Sequence, residues 1–100
     1  MAQFDIYKNT GNGVEYLIDL QDDLLSSLST RAVAPLVSPD RLGQNIKTLN
    51  PQIMINGAPF ILLTHLLAAI PAAALGAPVG SALSDRDRII AAIDLLFSGI

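Results

Sequence analysis

The chain has 100 residues, enough for one domain around one core, and 51% of them are hydrophobic. A formal net charge of −3 and only 5% aromatic residues argue against a general nucleic-acid binder, which needs cationic surface and rings for stacking. Cysteine is absent, which excludes a disulfide framework and suits a reducing, cytoplasmic setting.

The opening segment "MAQFDIYKN" has no basic stretch leading into an apolar one, so it does not read as a signal peptide. Within it "QFDIY" alternates as a strand does. Phe4 and Ile6 face one way, Asp5 and Tyr7 the other. "KNTGNG" then supplies Gly11, Asn12 and Gly13, residues that accept a positive φ at small cost. "VEYLIDL" alternates again, with Val14, Tyr16, Ile18 and Leu20 on one face and Glu15, Leu17 and Asp19 on the other. The two strands and their turn predict a hairpin.

"QDDLLSSLST" has no clear period and reads as a loop that exposes or half-buries Leu24 and Leu25. "RAVAPLV" reads as a short strand at a sheet edge or with a bulge, because Pro35 has no N–H for a ladder. "SPDRLGQNIKTLNP" is loop, with at most one helical turn. "QIMINGAPFILL" pairs two strands about Asn56-Gly57, a dipeptide suited to a two-residue hairpin turn.

The stretch "PFILLTHLLAAIPAAALGAPVG" carries no charge. A membrane-spanning helix wants about 20 strongly apolar residues. Here Pro71, Gly76 and Pro78 interrupt the run, His65 sits inside it and alanine fills its second half, which favours a buried segment. Composition leaves residues 61–70 open between a central strand and a buried helix. Residues 71–80 read as irregular or as short extended pieces.

"SDRDRIIAAIDLLFSGI" predicts a helix. Ser84 is its expected N-cap, with Asp87 three residues on, and Asp85 and Asp87 suit the positive end of the helix dipole. At about 100° per residue, Ile89, Ile90, Ile93, Leu96, Phe97 and Ile100 fall in one sector that must bury against the sheet. Asp87, Ala91, Asp94 and Ser98 lie opposite, with Leu95 and Arg88 beside them. A docked C-terminal helix explains a terminal Ile100 as a core residue; a recognition helix is the alternative. No repeat or linker divides the chain, so residues 1–100 are expected to form a single domain.

Catalytic chemistry is thinly represented. His65, the single histidine, lies among apolar residues and reads as a core or interface residue. No second histidine or cysteine is present to share a metal, so no metal or cofactor is expected. Asp22 and Asp23 are adjacent and should diverge into solvent. The Gly11-Asn12-Gly13 run lacks the lysine of a phosphate loop. Arg31 and Arg41 read as surface charges. No nucleophile, base and oxyanion set is apparent, so binding is favoured over catalysis.

Six ordered blocks then carry a resemblance: "QFDIY", "IDLQDDLL" at 18–25, "RAVAPL" at 31–36, "LNPQIMINGAPF" at 49–60, "AAIP" at 68–71 and the final "LSDRDRIIAAIDLLFSGI". They resemble the CcdB family, the toxins of bacterial CcdA–CcdB toxin–antitoxin modules. The resemblance implies a mainly β fold with one C-terminal α-helix. Its core is an antiparallel five-stranded sheet with a small accessory sheet, an SH3-like barrel shared with MazF-type toxins. It implies a homodimer with the two helices near the two-fold axis, and strand rather than helix at 61–70. It further implies binding to the DNA gyrase A subunit and trapping of the cleaved DNA complex, without catalysis. A CcdA-like antitoxin would neutralise the toxin and repress the operon with it. DNA would be met only through antitoxin or gyrase, and no membrane is involved.

The gyrase-facing positions implied by the family are Leu24, Leu25, Asp94, Phe97, Ser98, Gly99 and Ile100. Asp94 stands where an amide is usual, and Ser98 where the family has tryptophan. Tryptophan is enriched among interface anchors and serine is under-represented. Losing such an anchor costs roughly thirtyfold or more in affinity. A CcdB fold that has lost gyrase poisoning, and retains antitoxin binding and operon autoregulation, is therefore the alternative. A MazF-like ribonuclease is a third reading, opposed by a count of only six Lys plus Arg and one histidine.

Overall fold

The computed structural model describes residues 2–9, 13–41 and 46–99. Its strands are β1 (Asp5–Lys8), β2 (Tyr16–Asp19), β3 (Thr30–Val37), β4 (Gln52–Ile55), β5 (Ala58–Leu62), β6 (Ala68–Pro71) and β7 (Gly80–Ser81), followed by helix α1 (Arg86–Ser98). Every pairing is antiparallel. Five strands in the order β4-β5-β3-β2-β1 make the body of a nearly closed barrel. The accessory strands join this same sheet, β7 beside β1 and β6 beside β3. The expected mainly β fold with one C-terminal helix is the fold observed.

The hairpin at Asn56-Gly57 forms as predicted. Both central residues have positive φ, 52° and 81°, which matches the turn to the twist of its strands. β1 and β2 also pair, with Ile6 opposite Ile18 and Lys8 opposite Tyr16. Gly13 takes φ 74° between them, while Gly11 and Asn12 lie outside the described residues. The strands are shorter than the alternation suggested. β2 starts at Tyr16, so Val14 leaves the predicted face and packs with Val37, Ile61 and Leu63. Phe4 precedes β1 with a left-handed φ of 70°. Two backbone hydrogen bonds hold it there: Phe4 N–H donates to the Asp19 carbonyl at 2.6 Å, and Ala82 N–H donates to the Phe4 carbonyl at 2.8 Å.

Pro35 overturns the expectation of an edge strand. β3 is central, with β2 along one side and both β6 and β5 along the other. β6 covers residues 30–33 and β5 covers residues 36–37, so Pro35 falls at their junction. Its carbonyl accepts from Leu63 N–H at 2.9 Å, on that side. The amide and carbonyl of one strand residue point the same way. The missing Pro35 donor therefore faces the junction, and no β2 ladder bond is lost.

The apolar run resolves into strand, turn and strand. Ile61 and Leu62 end β5, a 3₁₀ turn spans Thr64–Leu66, and β6 follows. The turn leaves His65 exposed, outside the core, and its Nδ1 lies 3.2 Å from Asn50 Nδ2. No helix among the described residues is long and apolar enough to cross a membrane.

One face of the sheet and the helix enclose the main core of Phe4, Ile6, Ile18, Leu20, Ala34, Leu36, Ile53, Ile55, Leu62, Ala82 and Ile89. Tyr16 and Phe60 stack edge to face at its margin, with ring centroids 5.0 Å apart. The reverse face is not simply solvent. Tyr7, Asp19, Arg31 and Val33 are buried there.

Helix α1 begins later than predicted. Ser84 lies inside a 3₁₀ turn, Leu83–Asp85, and no side chain caps the helix start. Asp85 instead pairs with Arg88 at 3.6 Å. Ile89 and Ala92 are fully buried, whereas Ile90, Ile93, Leu95 and Leu96 are half-buried. Phe97 is 71% exposed, so it does not belong to the packed stripe. Burial fades toward the C-terminus, where Phe97, Ser98 and Gly99 are exposed.

Candidate functional site

The residues singled out from the sequence fall on two elements. Leu24 and Leu25 sit on a 3₁₀ turn, Asp23–Leu25, between β2 and β3. Leu24 is 89% exposed and Leu25 48%. Asp94, Phe97, Ser98 and Gly99 lie on the last turns of α1, all exposed. Ile100 lies outside the described residues. No hydrogen bond or ion pair joins the two groups among the described residues.

The leucine turn is tightly held. Asp22 Oδ1 accepts from Leu24 N–H at 2.8 Å, and Asp23 Oδ1 accepts from Gln3 N–H at 2.8 Å. The two neighbouring carboxylates thus diverge, each onto a backbone amide. Gln3 Nε2 also donates to the Leu20 carbonyl at 3.2 Å. Within the turn, Leu25 N–H bonds the Asp22 carbonyl and Leu28 N–H bonds the Leu25 carbonyl, at 2.9 and 3.1 Å.

Beneath the turn lies a buried ion pair that the sequence reading missed. Arg31 is 1% exposed and its Nε and Nη2 reach Asp19 Oδ2 at 2.9 and 2.6 Å. Asp19 Oδ1 accepts from Gln21 N–H at 3.0 Å. Removing one partner of such a pair leaves a buried charge uncompensated, which costs about 3–5 kcal/mol. Arg31 is therefore no surface charge. A signal was present: Asp19 and Arg31 lie on the same face of neighbouring strands, two residues out of register, where opposite charges can meet diagonally. Tyr7 lies near this pair. Burial pushes its phenol pKa up from 10.0, the Asp5 and Asp19 charges push it further the same way, and Arg31 opposes them.

The helix end is shaped by its cap. Gly99 takes φ 75° and its N–H donates to the Leu95 carbonyl at 3.0 Å. A residue in this left-handed conformation closes the helix and satisfies a terminal carbonyl, a place glycine fills without strain. Ser98 Oγ donates to the Asp94 carbonyl at 2.6 Å. The outward face thus offers a large ring at Phe97, a hydroxyl turned back on its own helix, and an exposed carboxylate at Asp94.

Leu24, Leu25 and Phe97 are thus exposed large apolar side chains on hydrogen-bonded backbone. Large apolar side chains at the surface favour a partner over water. Comparison with known proteins places the chain in a family and a fold. A family model described as CcdB protein matches residues 3–99. A solved structure described as an endoribonuclease in complex with its cognate antitoxin, from a mycobacterial species, superposes with a TM-score of 0.77. The match covers 96% of this chain and 93% of that one at 9% identity, a likeness of fold.

Proposed function

Because this chain belongs to the CcdB family, which matches it from residue 3 to residue 99, we propose that it is the toxin of a bacterial toxin–antitoxin pair that acts by binding the DNA gyrase A subunit. Binding would trap the gyrase–DNA cleavage complex, with DNA met only through gyrase or antitoxin. The observation that carries the reading is the exposure of Leu24, Leu25 and Phe97 on two rigidly held elements, at the positions where the family meets gyrase. Gly99 shapes the helix end beside them, Asp94 and Ser98 supply its polar face, and Ile100 completes the set. A CcdA-like antitoxin is the neutralising partner, and the fold neighbour solved with its cognate antitoxin supports a partner of that kind. The working unit is a cytoplasmic homodimer.

The test is induction of the protein in a bacterium with a sensitive gyrase A allele and in one with an allele resistant to CcdB-type toxins. Growth arrest in the sensitive strain alone is expected. Arrest in both strains assigns another target, and arrest in neither leaves antitoxin binding and autoregulation as the function. Ser98 supplies a graded version of the same test. Its side chain is exposed, so Ser98→Trp should leave the melting temperature unchanged. It should raise gyrase A affinity by up to roughly thirtyfold, read by calorimetric titration.

A further inference from the structure

Gln21 is buried, lies outside the apolar core cluster and, of the leucine turn, bonds only the backbone. All its polar groups are committed to backbone or to the buried ion pair. Its side-chain Oε1 accepts from Ala32 N–H on β3 at 3.0 Å, and its Nε2 donates to the Leu25 carbonyl in the leucine turn at 2.9 Å. Its own N–H bonds Asp19 Oδ1 at 3.0 Å, and its carbonyl accepts from Arg31 Nη2 at 3.5 Å. One side chain therefore ties the turn to the central strand, and the ion pair fixes the backbone from which that side chain starts.

The turn needs such a tie. Leu24 and Leu25 lose free energy in water and would gain it by folding onto nearby apolar surface. Short-range bonds within the turn set its shape, and Gln3 N–H, bonded to Asp23 Oδ1, ties the start of the turn to the segment before β1. The Gln21 amide adds the tie at the leucine end, with one acceptor for β3 and one donor for the turn. A glutamate would keep the acceptor and lose the donor, and would set a carboxylate oxygen against the Leu25 carbonyl. We propose that Gln21 is a positioning residue that holds the Leu24–Leu25 turn outward in its binding conformation and, through the turn, sets affinity for the target. This rests on the reading of Leu24 and Leu25 as target contacts.

A double-mutant cycle tests it on the full-length protein. Binding to the gyrase A subunit is measured for Gln21→Glu, Leu24→Ala, Phe97→Ala and the two pairs containing Gln21→Glu. Amide hydrogen exchange is measured in parallel. Gln21→Glu is expected to weaken binding roughly tenfold, the scale of one lost buried hydrogen bond. It should add little further loss in the Leu24→Ala background, and multiply in full with Phe97→Ala. The Leu25 and Leu28 amides should exchange faster, with β1 and β2 unchanged. Should Gln21→Glu fail to fold, Gln21→Met serves, since it keeps the length and carries no charge. Losses that multiply equally in both backgrounds, or exchange that rises throughout the sheet, overturn the inference. Wild-type binding by both Leu24→Ala and Phe97→Ala overturns the surface reading instead. The exchange at Leu25 and Leu28 then decides alone whether Gln21 holds the turn.

Discussion

Tyr7 is buried and its hydroxyl meets no protein hydrogen-bond partner among the described residues. The folded chain holds its phenol proton above pH 10, where the unfolded chain releases it. Tyr7 therefore leaves stability unchanged below about pH 10 and lowers it as pH rises further toward its folded pKa. Tyr7→Phe removes both the unpaired hydroxyl and the titration. At pH 7 the variant should unfold within about 1 kcal/mol of the wild type, or above it. Above about pH 10 the difference should move in its favour, as urea unfolding between about pH 7 and pH 11 will show. A large loss at pH 7 would mean that the hydroxyl has a partner. From sequence, Tyr7 and Asp19 sat on the outward faces of their strands, and the alternation itself was real. What alternation does not report is whether a second layer covers the outward face. The same gap hid Arg31, whose charge type suggested solvent until Asp19 was found against it.

At the scale of elements, turn chemistry and periodicity carried far. Asn56-Gly57 gave its hairpin because both residues tolerate positive φ. The helix formed, and Asp94 and Ser98 point outward as the wheel required. The wheel misplaced Phe97, because it counts angle and not the length of surface underneath. Ser84 failed as a cap because the chain enters the helix through a 3₁₀ turn that already contains it. Gly99 gives a separable prediction. A Cβ there meets no atom within 4 Å, so only backbone strain opposes Gly99→Ala. The φ of 75° should cost about 1–2 kcal/mol, read as a lower denaturation midpoint and faster amide exchange in the last helical turn. Binding should weaken as well, because Phe97 and Ser98 ride on that turn. Unchanged exchange there would show that the cap does not hold the helix end.

For the whole molecule, the surface shows what a lone copy would leave wet. Leu66, Leu83 and Phe97 are exposed along with Leu24 and Leu28. A second copy would cover part of that surface. Sedimentation equilibrium should find a particle of twice 10.6 kDa at micromolar concentration. A particle of 10.6 kDa there rejects the homodimer and returns the apolar surface to other partners.

The sequence by itself determined what depends on near neighbours in the chain. It placed the two-residue turn, the alternating strands, the terminal helix and the bare loop that presents Leu24 and Leu25, and its blocks pointed to the family. Tertiary structure alone decided what depends on distant segments. It put Pro35 in a central strand by setting its missing donor at the junction of β6 and β5. It buried Asp19 with Arg31, exposed His65 and Phe97, and joined Gln21 to the leucine turn. Backbone preference is local and can be read from a few residues, whereas burial is fixed only when remote parts of the chain arrive on a face.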